Sequence, residues 1–173
     1  MDNGAKVRKR SVLNTLSGRF LLLTVAFVML AEVLIFVPSV ARFRADYLLL
    51  KLERAQIASL ATLATDKMIS AELEKELLAN AGVFNVVLRR DEVRQLVLSS
   101  EIPEPIFATY DLRMDSPWQL IRDAMEQILD PQNRVIRVIG NPVQEAGLLI
   151  EITTETAPLR SALLEYGGRI LVL

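Results

Sequence analysis

The period at which hydrophobic positions recur changes along this chain, and each change marks a new element. Residues 20–37 read FLLLTVAFVMLAEVLIFV, in which only Thr24 and Glu32 are polar. At a rise of about 1.5 Å per residue the run covers roughly 27 Å, close to the hydrocarbon thickness of a bilayer. It lacks the polar face that a helix packed into a soluble core shows. After Pro38 and Ser39 the spacing becomes helical: Val40, Phe43, Tyr47, Leu50, Ile57, Ala61 and Ala64 alternate steps of three and four, with Arg54 filling the gap. Such a heptad stripe seats a second helix, from another copy of the chain, or packs on the domain's own sheet. Leu48, Leu49 and Leu52 on adjoining faces are the alternative packing surface.

Beyond it the pattern predicts a short helix capped by Ser70, with Glu72 and Glu74 in its first turn and Asn80-Ala81-Gly82 closing it. Its apolar face is Ile69, Leu73, Leu77 and Leu78. Strand formers at 83–89 and 93–98 flank Arg90-Asp91-Glu92, the length of a hairpin loop. Residues 100–115 hold Pro103 and Pro105 without a clean period and read as a loop, with a short strand near Phe107. Ser116, Pro117 and Gln119 then form a capping box with proline at the first helical position. Leu120, Ile121, Ala124, Met125, Ile128 and Leu129 make the apolar face of the helix that follows, and Pro131 stops it. Two strands at 134–139 and 148–153, with a turn at Gly140-Asn141-Pro142, precede a last helix through Leu159, Leu163 and Tyr166. Four to five strands joined mainly as hairpins, with helices on one side, predict an α+β domain around an antiparallel sheet.

Composition sharpens this picture by exclusion. The 173 residues contain no cysteine and no histidine. Disulfides, thiolate nucleophiles and cysteine-based metal sites are therefore ruled out, as is the usual general base near neutral pH. A hydrophobic content of 51% and a mean hydropathy of +0.31 fit a chain with part of its apolar mass in lipid. Between 39 and 169 there are 15 basic and 19 acidic residues, which offers nucleic acid no basic patch. No cofactor is expected.

Ahead of the apolar run stand Lys6, Arg8, Lys9, Arg10 and Arg19 against Asp2. The positive-inside rule puts this tail in the cytoplasm and the residues after Pro38 on the far side. A cleaved secretory signal ending at Ala41 competes with the anchor, but the apolar run exceeds a typical signal core. Glu32 pairs with another helix or water near the outer interface, or ties two membrane helices together. After Tyr166-Gly167-Gly168-Arg169 the chain closes on Ile170, Leu171, Val172 and Leu173, which reads as the opening of a second membrane helix cut short. The expected organisation is a basic tail over 1–19, a membrane helix over 20–38, an extracytoplasmic domain over 39–165 and a truncated second span over 166–173.

This layout resembles the N-terminal transmembrane and extracytoplasmic sensor region of bacterial two-component sensor histidine kinases, with their PAS-like or PDC-type input domains. The resemblance covers essentially the whole chain, lies in layout and contains no diagnostic motif. It implies a stimulus-sensing input region in the bacterial cytoplasmic membrane, acting as a homodimer. It also implies a small-molecule or protein stimulus and a kinase output passing phosphate to a response regulator. Chemoreceptors and cyclic-dinucleotide enzymes use the same kind of input. A membrane-tethered envelope binding or assembly protein is the alternative; an exported enzyme would need a nucleophile motif that the sequence lacks. No catalytic residue is carried over. The expected signalling helix is the stripe Val40, Phe43, Tyr47, Leu50 and Ile57, and Gly167-Gly168 is a flexible or closely packed junction in the last helix.

For a ligand, the eventful stretch is 110–118. Tyr110, Arg113 and Trp118 would contact a small molecule, with Asp111 or Asp115 selecting among its polar groups, ahead of a helix N-terminus. The competing reading is a capped surface loop with Trp118 packed as a core anchor and Arg113 solvated. Asp66, Glu72, Glu74 and Glu76, and Asp123, Glu126 and Asp130, form acidic clusters without the spacing of a calcium loop. Both read as solvated helix faces, and no metal is expected.

Overall fold

The computed structural model describes residues 15–63, 70–90, 93–143 and 148–172. Lys6, Arg8, Lys9 and Arg10 of the basic tail, Ala64, Asp66, Ile69, the turn residues Asp91 and Glu92, and Leu173 lie outside the described residues. The chain divides into two compact units, Met1–Val37 and Pro38–Leu173.

Helix α1 (Leu16–Leu63) begins in the first unit and contains Pro38. A proline removes one rung of helical hydrogen bonding, and here the helix continues across it, so the apolar run and the long helix that was expected to continue it form one element. In the first unit Phe20, Leu23, Phe27, Leu34 and Ile35 are all exposed. Thr24 donates its hydroxyl to the Phe20 carbonyl at 3.0 Å, which leaves Glu32 as the one strongly polar side chain of the run. The segment is long and apolar enough for a membrane span or a signal sequence.

The second unit is α+β. After α1 come α2 (Ala71–Ala81), β1 (Asn85–Arg90), β2 (Val93–Ser99), β3 (Ala108–Asp111), α3 (Pro117–Leu129), β4 (Val135–Gly140), β5 (Leu149–Glu155) and α4 (Ala157–Val172). The sheet order is β2-β1-β5-β4-β3. β1 pairs antiparallel with β2 and with β5, and β4 pairs antiparallel with β5. The expected all-antiparallel sheet is corrected at β3, which pairs parallel with β4, Tyr110 opposite Val138. Helix α3 carries the chain back between these two strands, and a parallel pair needs such a crossover. The sheet is therefore mixed.

Capping follows the local residues closely. The Ser70 side chain accepts from Leu73 N, and Gly82 closes α2 at φ 68°, a left-handed conformation that glycine adopts without a Cβ clash. Ser116 and Gln119 form the reciprocal capping box of α3.

One face of the sheet carries the core. Val86, Leu88, Ile136, Val138, Ile150 and Ile152 are buried there beneath α1 and α4, which add Val40, Leu48, Leu52, Leu159 and Leu163. α1 crosses this face in direct contact. A Cβ on Gly140 of β4 would lie 2.5 Å from Leu52 Cδ1, so glycine is what lets the helix approach. Lys51 Nζ donates to the Gly82 carbonyl at 3.0 Å and to Thr154 Oγ1 at 2.8 Å, tying α1 to the end of α2 and to β5. Gln56 makes two 2.7 Å bonds with the Val143 backbone. The opposite face is crossed by residues 100–107, which leave the β2 side, where Ser100 N donates to Phe84 O, and reach the far edge, where Phe107 N donates to Val135 O. Under this strap β5 is buried on both faces: residues 150–154 are all buried.

Candidate functional site

The buried stripe of α1 contains a charge. Its inward positions are Val40, Ala41, Arg44, Leu48, Lys51, Leu52, Ala55, Ala58 and Ser59, and Arg44 is wholly enclosed. Strand alternation turns Tyr110 of β3 to the same side, and the Arg44 guanidinium lies 4.4 Å from the centre of its ring, a cation–π contact. The capping box fixes the loop carrying Asp115, and α3 presents Asp123, 4% exposed, to the interior. No acceptor among the described residues meets Arg44 Nε, Nη1 or Nη2 in hydrogen-bond geometry, and the buried Asp115 Oδ2 likewise has no donor.

Burial dominates the electrostatics of this cluster. Burial lowers the pKa of Arg44, against the pull of Tyr110, Asp123 and Asp115. Burial raises Tyr110, with Arg44 opposing. Burial and then the charge of Asp123 raise Asp115, while Arg44 lowers it. Buried donors without well-placed acceptors are rare in native structures and cost free energy, which makes the cluster a candidate site.

The four side chains expected to bind a ligand do not converge. Asp111 and Arg113 close on each other, with Nη2 to Oδ2 at 2.7 Å and Nε to Oδ1 at 2.8 Å. Arg113 N also donates to Asp111 Oδ1 at 3.1 Å. That pairing holds the Asp111 carboxyl below the usual carboxylate range. Tyr110 points the other way, into the Arg44 cluster. Trp118 stands 79% exposed on the outer side of α3, so it is not a core anchor.

A second arrangement lies under the strap. Arg137 Nε meets Glu151 Oε1 at 2.8 Å, with the Glu151 side chain 9% exposed. The pair lines a cleft of about 320 Å³ with Asn85, Val87, Thr153, Ile102 and Ile106. An ion pair beside apolar walls provides orientation and contact area for a small polar molecule.

Sequence reasoning missed Arg44, Arg137 and Glu151. Each carried a signal: a single charge inside an otherwise apolar stripe or strand, Val40-x3-Arg44-x3-Leu48, Val135-Ile136-Arg137-Val138, and Ile150-Glu151-Ile152. The stripe expected to signal splits between two environments. Val40 is buried, Phe43 and Tyr47 are half-buried, and Leu50 and Ile57 are exposed. At its start Phe43 stacks on Tyr166 of α4, ring centres 4.2 Å apart, and Ser39 Oγ lies 3.1 Å from the Tyr166 hydroxyl. Gly167 is buried beside this contact, whereas Gly168 faces open space.

No family model, no curated protein and no solved structure matches this chain at a significant level. Among the described residues no group of three or more acidic side chains is placed to hold a metal ion.

Proposed function

We propose that this chain is the stimulus-sensing input region of a transmembrane receptor, with residues 39–165 outside the cytoplasmic membrane as a PAS-like domain. The parent receptor is a sensor histidine kinase acting as a dimer. The observation that carries this reading is the junction of Ser39, Phe43 and Tyr166. It brings the residues that follow the apolar run against those that precede the apolar end of the chain. A domain that begins and ends on two touching helices converts an internal rearrangement into a relative displacement of those helices. A stimulus acts by favouring one arrangement, and only through a difference in its affinity for the two.

The inner surface of α1 supplies a means. Arg44, Lys51 and Gln56 connect it to β3, to β5 and to the start of the β4–β5 connection. A ligand in the strap cleft that repositions Arg137 and Glu151 acts on β4 and β5, the strands against which α1 is packed. The exposed Leu50 and Ile57 provide the outward seam for a second copy.

The test is a chimera in which the chain is joined, after Leu173, to a completed second membrane span and the cytoplasmic part of a histidine kinase with a measurable output. Tyr166→Ala is expected to shift basal output severalfold at unchanged protein level. Exposed Thr109→Ala is expected to leave it unaltered. An output indifferent to Tyr166→Ala and Phe43→Ala alike would remove the coupling on which the reading rests.

A further inference from the structure

A cleft of about 370 Å³ opens beside α1, where the end of α2 and the junction of β5 with α4 meet it. Tyr47, Lys51 and Arg54 line it from α1, at steps of four and three that put them on one side of the helix. Phe84 ahead of β1, Glu155 at the end of β5 and Pro158 at the start of α4 join them. Lys51 is only 7% exposed, and an ammonium carries three N–H donors. Two of them go to the Gly82 carbonyl at 3.0 Å and to Thr154 Oγ1 at 2.8 Å; the third has no acceptor among the described residues. Arg54 is exposed and makes no hydrogen bond or ion pair among the described residues. Glu155 is the one carboxylate of the lining, and its Oε2 already accepts from Asn133 Nδ2 at 2.8 Å. Two cations against one carboxylate leave a surplus of one positive charge.

We propose that this cleft binds a small organic monocarboxylate, with its carboxylate between Lys51 and Arg54 and its apolar part against Tyr47, Phe84 and Pro158. The planar fork of an arginine matches a carboxylate, and a lysine adds a point charge. A single negative charge balances the lining, whereas a phosphate dianion would leave an excess charge facing Glu155. The volume suits a small molecule bounded by a few polar groups and apolar walls. A bound anion also offsets the effect of burial on Lys51, which lowers its pKa, with Glu155 opposing and Arg54 adding to the lowering. The cleft shares no lining residue with the one under the strap. It is read by binding alone, so it neither needs the sensory reading nor fails with it.

The test is a titration of the full chain in non-ionic micelles with sodium butyrate, followed by amide NMR. The Gly82 and Val83 signals are expected to shift saturably, and sodium chloride at the same ionic strength is expected to leave them in place. Methyl phosphate, a dianion at about pH 8, is expected to bind about tenfold more weakly or worse. Lys51 also ties α1 to the fold, so the exposed Arg54 carries the mutational test. Arg54→Gln is expected to weaken butyrate binding about tenfold or more, the scale of a lost hydrogen bond between charged groups. Glu155→Gln removes the opposing charge at nearly constant shape and is expected to tighten butyrate, and methyl phosphate by more. No saturable shift with butyrate, an affinity unchanged in Arg54→Gln, or one lowered by Glu155→Gln would each overturn the proposal. Methyl phosphate binding the natural chain as tightly as butyrate would overturn it equally.

Discussion

Arg44 shows how a single residue can hold an element in place at a cost. The enclosed guanidinium has given up its hydration for a tyrosine ring and the nearby Asp123 and Asp115, and burying a charge is costly unless its partners meet it closely. Arg44→Met removes the charge at nearly constant length. It is expected to leave the domain as stable as before or more so, whereas Leu48→Ala on the same stripe should lose about 2–5 kcal/mol. Thermal unfolding of the full chain in micelles distinguishes the two. Asp115 adds a pH dependence of definite sign. Its carboxyl is raised above the usual range by burial and by Asp123. A group raised on folding contributes stability below its unfolded pKa and loses that contribution as pH climbs through the folded value. Asp115→Asn is therefore expected to unfold at a higher temperature than the natural chain at pH 7, with the difference disappearing as pH falls below about 4. A difference that grew on acidification would contradict the sign.

Among the elements, those set by neighbouring residues were legible in the sequence, and those set by distant contacts were not. The Ser70 and Ser116 caps, the Gly82 closure and the hairpin strands stand where local chemistry placed them. Gly82→Ala, forced to keep φ 68°, is expected to cost about 1–2 kcal/mol. α1 was harder because two stripes, displaced by one position, both step by three and four. The apolar, aromatic one beginning Val40, Phe43, Tyr47 looked like the seam. The stripe of Val40, Arg44, Leu48, Lys51 and Ala55 is the one enclosed, since Arg44, Lys51 and Gln56 find inward contacts through residues far away in sequence. In α3 the expected apolar face is kept except at Leu129, with Ala124 buried and Leu120, Ile121, Met125 and Ile128 half-buried, and Asp123 and Gln127 join it inward. The parallel pairing of β3 depended on where α3 returns the chain, which no local pattern encodes. The approach of α1 to β4 can be tested directly. Gly140→Ala is expected to cost about 1–3 kcal/mol by overpacking against Leu52. Combined with Leu52→Ala, its cost should fall well short of additive.

For the whole molecule, an apolar run precedes an α+β domain whose first and last helices meet at Ser39, Phe43 and Tyr166. The ligand residues expected from sequence dispersed because strand alternation separates Tyr110 from Asp111, and because Trp118 lies on the outer face of α3. The polar groups that remain clustered, around Arg44 and under the strap, are isolated charges in apolar surroundings, legible in retrospect by that contrast alone. All of this presupposes a domain carried outside the membrane on an anchored chain. The most direct measurement is labelling of single cysteines in intact cells with a membrane-impermeant maleimide. Gln119→Cys, on the exposed side of α3, is expected to react at once, and Ser11→Cys only after the membrane is opened. Labelling of Ser11→Cys with protection of Gln119→Cys, or recovery of the chain in the soluble fraction, would contradict that placement.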